Sequence, residues 1–299
     1  MRDLALACFK ILVKHFTAKS RNRFFKLREK RNTQDDPFDE YIFNLLKGEL
    51  RKRGIKCIRS PGPLISPDLV LINPRTFNKK WHKHMKLLTD LDTIVAIEIK
   101  KVERTSKGRI ARATGIDFNT TPPCGIVRIY LHTGDHRELS LDIRCFYFFA
   151  CLERHGNMSC ISAATLVDGK FLNEDFDLYL QTIGPREKEI GLGTYGDGMN
   201  RNRPMYVFPN PLAIQGLDKR FTLIHSSNTL EKIDADICLT DVIIRIDKRG
   251  SRRTFYCYSL KEHSDLMRGV NRITFPKVSR KKETSPRGKF TINLKLLDY

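Results

Sequence analysis

Two short stretches of the sequence decide the fold: SPDLVLI at Ser66–Ile72 and IVAIEIKK at Ile94–Lys101. The first becomes continuously apolar directly after Asp68, and the second stays apolar until Glu98. Short apolar runs rich in valine, isoleucine and leucine, when bounded by turn residues, predict buried β-strands. We therefore predict two buried strands, with a carboxylate at the start of one and another near the end of the other.

The charged residues at these strand ends are spaced so that they can meet. Side chains alternate between the two faces of a strand, so Glu98 and Lys100 share a face while Ile99 points into the core. If the two strands are neighbours, Asp68 lies close to both. Two carboxylates can hold Mg²⁺, and a lysine can orient or deprotonate a water that attacks a phosphodiester. The pattern predicts Asp68, Glu98 and Lys100 as catalytic residues, the first two as ligands of a Mg²⁺ cofactor.

This arrangement resembles the PD-(D/E)XK nuclease superfamily, over about Asp35 to Lys101 only. Proline precedes the aspartate, both stretches are strand-like, and a helix with an acidic start lies upstream. The resemblance implies a restriction-endonuclease-like α/β fold, in which helices flank a mixed β-sheet and further elements recognise DNA. The chain is most similar in length and motif to a type II site-specific restriction endonuclease, which implies double-stranded DNA as substrate and a homodimer.

In the same superfamily, the helix before the core hairpin often supplies another acidic residue. Pro37 followed by two acidic residues predicts the start of such a helix. The resemblance therefore implies Glu40 as a further catalytic residue, with Asp39 as the neighbour to test beside it. The competing interpretation is that both charges only stabilise the helix dipole.

The composition favours a nucleic-acid partner. The 299 residues include 54 basic and 34 acidic side chains, which gives a formal net charge of +20. Such an excess is typical of proteins that bind a polyanion, because lysine and arginine displace counterions from phosphates. Charge alone also suits a ribosome-associated or membrane-surface protein. The alternatives to a restriction enzyme are therefore a repair or junction-resolving nuclease and a non-catalytic nucleic-acid-binding protein.

Two segments contain the residue types that contact DNA. Arginine suits guanine, asparagine suits adenine, and threonine reaches bases or phosphates. The candidate residues are Arg104, Lys107, Arg109, Arg112, Asn119 and Thr120 in the first segment, and Asn200, Arg201, Asn202 and Arg203 in the second. The competing interpretations are an ordinary turn for the first segment and a solvated loop for the second. We expect the basic runs 21–31 and 280–289 to contact DNA phosphates or to face solvent.

A second strand–turn–strand pattern near the C-terminus provides an alternative catalytic set. It consists of Asp241, Ser259 and Lys261, with serine in place of the second carboxylate. Serine is a poorer Mg²⁺ ligand than a carboxylate, so the first motif is preferred.

The rest of the chain indicates three regions. Residues 1–34 form an N-terminal amphipathic helix and a basic segment, 35–180 the nuclease core, and 181–299 a C-terminal recognition or accessory region, either separate from the core or continuous with it. Strands are predicted over 55–58, 69–72, 93–99, 125–131, 241–246 and 254–260, and at the final TINLKLL. Residues 141–150 suit a strand or a strand followed by a helix, and 184–216 an extended loop.

Other classes of function find little support in the sequence. The apolar stretch in residues 4–16 is too short and too charged to span a membrane, so we expect no membrane partner. Gly191-x-Gly193-x-x-Gly196 lacks a preceding strand and a following helix, so no nucleotide cofactor is predicted. The eight cysteines are scattered and form no C-x-x-C pair, which fits a reducing cytoplasm.

Overall fold

The structure is a computed structural model. It describes residues 2–17, 24–26, 37–62, 65–83, 87–103, 118–120, 125–132, 138–155, 158–172, 205–208, 221–246, 250, 252–263, 278–279 and 290–297. Within these residues, no helix is long and apolar enough to cross a membrane.

Five helices and fifteen strands make up the described part of the chain. The helices are α1 (Leu4–Thr17), α2 (Pro37–Arg51), α3 (Pro74–Lys80), α4 (169–172) and α5 (Leu230–Ile233). The strands are β1 (Phe24–Lys26), β2 (Lys56–Arg59), β3 (Leu69–Ile72), β4 (Leu87–Leu88), β5 (Ile94–Glu103), β6 (Phe118–Thr120), β7 (Ile126–His132), β8 (Glu138–His155), β9 (Met158–Asp168), β10 (Met205–Phe208), β11 (Phe221–His225), β12 (Ile237–Ile246), β13 (Arg252–Leu260), β14 (Val278–Ser279) and β15 (Thr291–Asn293).

Twelve of these strands form one large mixed sheet. Its main path has the order β12-β13-β11-β9-β8-β5-β3-β2, and β1, β4, β7 and β15 join it at the side. Strands β5 and β8 are parallel, as are β9 and β11, whereas β2, β3 and β5 are antiparallel neighbours. The expected α/β class with a mixed sheet is confirmed, although few helices flank the sheet.

Helices α1 and α2 cover one face of this sheet. They pack on residues of the central strands such as Leu71, Ile97 and Phe148. Helix α1 is less amphipathic than its sequence suggests, because ten of its fourteen residues are buried. Helix α2 begins at Pro37, as predicted, and the chain turns at Gly54, whose φ of 71° suits glycine.

The C-terminal third extends the same sheet. Strands β11, β12 and β13 follow β9 along the main path. The second core, on the sheet face opposite α1 and α2, contains both Phe77 from the N-terminal half and Phe255 from β13. The described strands of the C-terminal third thus share a hydrophobic core with those of the first half.

Of the two interpretations of residues 141–150, the strand is confirmed, since β8 is one strand of 18 residues and the aromatic run at 146–149 does not lead into a helix. Aromatic side chains favour strands, and β8 is paired along its whole length, first with β7 and then with β5 and β9. At the C-terminus, only Thr291–Asn293 is a strand, and a 3₁₀ turn follows over Leu294–Leu297.

Candidate active site

The antiparallel pairing of β3 with β5 brings the predicted acidic residues together. These strands are antiparallel, and Leu69 is paired with Ile97. Continuing that register by one residue places Asp68 opposite Glu98. Buried apolar residues on both strands fix this register, because a shift by one residue would move them to the wrong face.

The side chains of β5 alternate between the two faces of the sheet. Ile97 and Ile99 belong to the core beneath α1 and α2. Glu98 and Lys100 therefore project from the opposite face, and their side chains are 15% and 18% exposed. A substrate or ion can reach them there, while the strand remains anchored by its other face.

Each of the three charged side chains of this set has a hydrogen-bond partner within the chain. The backbone N–H of Ile99 donates to Asp68 Oδ2 at 2.6 Å. Lys100 Nζ donates to Glu98 Oε1 at 2.8 Å, and Ser66 Oγ donates to Glu98 Oε2 at 3.1 Å. The backbone and Ser66 thus fix the orientation of the two carboxylates before any ligand binds.

The environment of Asp68 disfavours the charged form of its carboxyl group. Burial raises the pKa of Asp68 to about 8, and the nearby Glu98 carboxylate adds to the increase. Lys100 and the Ile99 N–H act in the opposite direction without offsetting it. A proton or a cation between the carboxylates would relieve this repulsion.

Helix α2 contributes Asp39 to this region. Lys101, on the opposite face of β5 from Lys100, forms an ion pair with Asp39 at 3.1 Å and lies 5.7 Å from the ring centre of Phe38. The Asp39 charge is close enough to raise the pKa of Asp68. Glu40 is exposed on the helix surface. The geometry therefore favours Asp39 over Glu40 as the acidic residue of α2 nearest the site.

Sequence reasoning did not identify Ser66 or Lys101 as parts of this region. Ser66 is next to Pro67, and Lys101 follows the predicted catalytic lysine, so both were visible in the motif. Side chains alternate between the two faces of a strand, so Lys101 lies on the face of β5 that the helices cover. This alternation could have predicted its contact with α2.

The donor set fits a magnesium ion. In the part of the chain that the structure describes, no three histidine, cysteine, aspartate or glutamate side chains form a metal-sized group. Magnesium commonly uses one or two carboxylates and keeps several waters, so Asp68 and Glu98 meet its usual needs.

Most of the predicted DNA-contacting residues cannot be placed. Arg104, Lys107, Arg109 and Arg112, and all four from Asn200 to Arg203, lie outside the described residues. Asn119 and Thr120 belong to the backbone of β6. Strand β6 lies in a separate three-stranded sheet, with the order β14-β10-β6.

The alternative catalytic set has a different environment. Ser259 is 2% exposed, and its hydroxyl donates to the carbonyl of Phe221 at 3.1 Å. Asp241 is paired with Cys257, next to a bulge in β12, and Lys261 is exposed in the turn after β13. The serine hydroxyl is therefore engaged in holding β13 to β11, and the set offers a metal only one carboxylate.

Comparison of the chain with protein-family models, with curated proteins and with solved structures found no match.

Proposed function

We propose that this protein is a Mg²⁺-dependent endonuclease that hydrolyses phosphodiesters of double-stranded DNA. The observation that supports it most is the convergence of Asp68, Glu98 and Lys100 on one face of the paired strands β3 and β5. The narrower proposal is a type II site-specific restriction endonuclease with a restriction-endonuclease-like fold. The mixed sheet and helix α2, which precedes β2 and β3 in the chain, are consistent with the resemblance.

In this proposal Asp68 and Glu98 are the metal ligands. Mg²⁺ held by them would lower the pKa of a bound water and neutralise charge on the phosphate. The Ile99 N–H keeps one oxygen of Asp68 oriented, and Ser66 does the same for Glu98. Their role is to hold the carboxylates in place, so that little rearrangement is needed when substrate binds.

Lys100 is proposed to act on the attacking water. Its Nζ is 2.8 Å from Glu98, so it lies beside the proposed metal ligand rather than free in solvent. An ammonium group at that position can orient the water and stabilise negative charge as the phosphorus–oxygen bond forms.

The net charge of +20 supports DNA as the substrate. Phosphates attract such a chain strongly at low salt, and the attraction is independent of sequence. A homodimer follows only from the resemblance, in which two-fold symmetry would place one site on each strand of a palindrome.

Cleavage of plasmid and phage DNA tests the proposal. Wild type and Asp241→Asn should produce discrete fragments with Mg²⁺, whereas Asp68→Asn and Glu98→Gln should bind DNA without cutting it. Asp241→Asn is the matched control, because it removes the carboxylate of the other motif.

Other outcomes would favour a different function. Loss of cleavage only in Asp241→Asn would move the site to the second motif. Cutting of branched junctions but not of linear duplexes would indicate a structure-specific nuclease. Salt-sensitive binding by wild type, with no cleavage under several divalent metals, would contradict the proposal and indicate a binding protein.

A further inference from the structure

Three connections of the chain lie at one end of the main sheet. The register places Lys56 of β2 opposite Ile72 of β3, and Ile72 opposite Ile94 of β5. The turn before β2, helix α3 after β3 and the turn before β5 therefore share this end. Asp68 lies beyond the other end of β3, about 13 Å from Ile72 at about 3.3 Å per residue.

This end of the sheet is rich in positive charge. Residues 47–56 contain five basic side chains and one acidic, and residues 73–83 contain four basic side chains and no acidic one. Six of the basic side chains are exposed and together form the basic end surface: Arg51, Lys52, Arg53, Arg75, Lys79 and Lys83. The surface thus combines charges from two segments that the pairing of β2 with β3 brings together.

Little of this charge is neutralised within the protein. Lys80 is paired with the acidic turn before β5, at 3.1 Å from Asp90 and 2.9 Å from Asp92. Lys52 is paired with Glu49 at 2.6 Å, although both side chains are exposed. Among the residues that the structure describes, the other five members of the basic end surface form no ion pair. They are therefore available to an anionic partner.

The two halves of the surface are held in fixed positions. The Asn73 N–H donates to the Thr93 carbonyl at 2.8 Å, which attaches the start of α3 to β5. With about 3.8 Å between consecutive Cα atoms and about 5.5 Å between Lys56 and Ile72, the Cα atoms of Arg53 and Arg75 are within roughly 28 Å. That distance corresponds to about eight base pairs of duplex DNA, at about 3.4 Å each.

The side chains of this surface suit phosphate better than lipid. The large exposed apolar side chains of the described residues are Leu87, Ile126 and Ile233, and none of them belongs to residues 47–56 or 73–83. A helix that lies on a membrane inserts apolar side chains between the lipids. A basic surface without such side chains is complementary to the phosphates of a nucleic acid.

Gly48 provides a second, independent indication of a partner. It lies within α2, one turn before Arg51 and Lys52, although glycine is a poor helix former. A Cβ atom at this position would meet no described atom within 4 Å, so packing within that part of the chain does not require glycine. The absence of a side chain allows another molecule to approach the helix backbone closely.

We propose that the basic end surface binds the phosphate backbone of duplex DNA outside the segment that the candidate active site would cleave. The proposal rests on the proposed function in taking double-stranded DNA as the partner. Its separation from Asp68 by the length of β3 is the reason for assigning it to flanking DNA. Lysine and arginine release counterions from phosphates, so this contact adds affinity that is independent of base sequence.

Removal of three of these charges tests the proposal. The test variant combines Arg53→Gln, Arg75→Gln and Lys79→Gln. Binding of a fluorescein-labelled duplex would be measured by anisotropy in EDTA, where no Mg²⁺-dependent cleavage occurs. We expect affinity to fall by about tenfold or more on duplexes of unrelated sequence, and the slope of log affinity against log salt to fall by about 3, since each phosphate contact contributes about 0.9.

A matched control removes the same charge elsewhere. It combines Arg2→Gln, Lys232→Gln and Arg252→Gln, all at exposed positions outside the basic end surface. Exposed charges that do not touch the duplex are largely screened by salt, so this variant should bind within about twofold of wild type. Circular dichroism of both variants checks that they are folded.

The outcomes separate this proposal from the nuclease proposal. A test variant that loses no more affinity than the control would overturn the basic end surface. Binding of wild type to phosphatidylserine vesicles but not to duplex DNA would also overturn it and would indicate a membrane partner. Weakened binding by the test variant, with no cleavage by wild type in Mg²⁺, would support this surface and contradict the nuclease proposal. Cleavage by wild type, with unchanged binding by the test variant, would do the reverse.

Discussion

At the scale of single residues, the candidate site is defined by a conflict between two carboxylates. Asp68 is oriented by a backbone N–H, and Glu98 by Ser66 and Lys100. The structure therefore holds two carboxyl groups close together in a partly buried position, where burial and mutual repulsion both disfavour a second negative charge. A proton on Asp68 relieves the conflict in the metal-free protein, and a divalent cation would relieve it during the proposed reaction.

The first prediction concerns the stability of the metal-free protein. The folded pKa of Asp68, about 8, is higher than the unfolded value near about 3.9. Between these values the folded state binds more protons, so the free energy of unfolding falls as pH rises. Asp68→Asn should leave stability nearly unchanged at about pH 4 and increase it by several kcal/mol at about pH 8.

Thermal unfolding in EDTA across this pH range measures the effect. Asparagine keeps the oxygen that accepts the Ile99 N–H, so the comparison isolates ionisation. An equal difference between variant and wild type at acidic and alkaline pH would contradict the prediction.

The second prediction distinguishes the two motifs. Ser259→Ala removes the donor to the Phe221 carbonyl, which should lower the free energy of unfolding by about 1 kcal/mol. Cleavage should remain at the wild-type rate, because the serine supports a strand contact. Denaturant unfolding and a plasmid assay check both parts. Loss of cleavage in a folded Ser259→Ala protein would contradict this prediction and would indicate that the second motif is the active site.

At the scale of elements, the N-terminus of α1 is fixed by a buried cap. The Leu6 N–H donates to Asp3 Oδ1 at 2.9 Å, and Asp3 Oδ2 is 3.4 Å from His225 Nε2. His225 Nδ1 accepts the Ser227 N–H, so its second nitrogen faces the aspartate. This contact ties α1 to β11, and thereby the start of the chain to its C-terminal third.

The third prediction follows from that cap. Asp3→Ala should lower the free energy of unfolding by about 1–2 kcal/mol, because it leaves a helix N–H without its acceptor. Arg2→Ala, at an exposed neighbouring position, should have little effect. Urea unfolding of the two variants provides the comparison. Equal stability of Asp3→Ala and wild type would show that the cap contributes nothing.

The elements also show which parts of the architecture can be predicted from sequence. Strand β3 was predicted with its correct bounds, because a buried apolar run follows Pro67 and Asp68. The ambiguity at 146–149 arose because an apolar aromatic run suits a buried helix as well as a strand. Only the pairing of β8 with its neighbours resolves it. The proximity of Asp39 to Asp68 depends on how α2 packs, which strand periodicity does not specify.

At the scale of the whole molecule, one sheet connects the two ends of the chain. Trp81, the only tryptophan, packs in the same core as Phe255 and Ile292. The small sheet β6-β10-β14 is outside that path and depends on pairings between segments far apart in sequence. Local sequence patterns do not predict pairing between strands so far apart in the chain.

The fourth prediction concerns cooperativity. The N-terminal half and the C-terminal third of the chain share a hydrophobic core. Unfolding should therefore have the same midpoint whether it is followed by Trp81 fluorescence or by far-ultraviolet circular dichroism. Fluorescence reports on the region of α3, whereas circular dichroism reports on the whole sheet. Two separate transitions would indicate that the C-terminal third unfolds as a unit of its own.

The central claim is that Asp68 and Glu98 support metal-dependent cleavage of DNA. Its most direct test is single-turnover cleavage of plasmid DNA by wild type and by Glu98→Gln, at protein concentrations that bind the DNA equally. We predict Mg²⁺-dependent cutting by wild type and a loss of at least about a hundredfold in the variant, as for removal of a group that stabilises the transition state. Equal cleavage by the two proteins, or none by wild type with any divalent metal, would contradict the account.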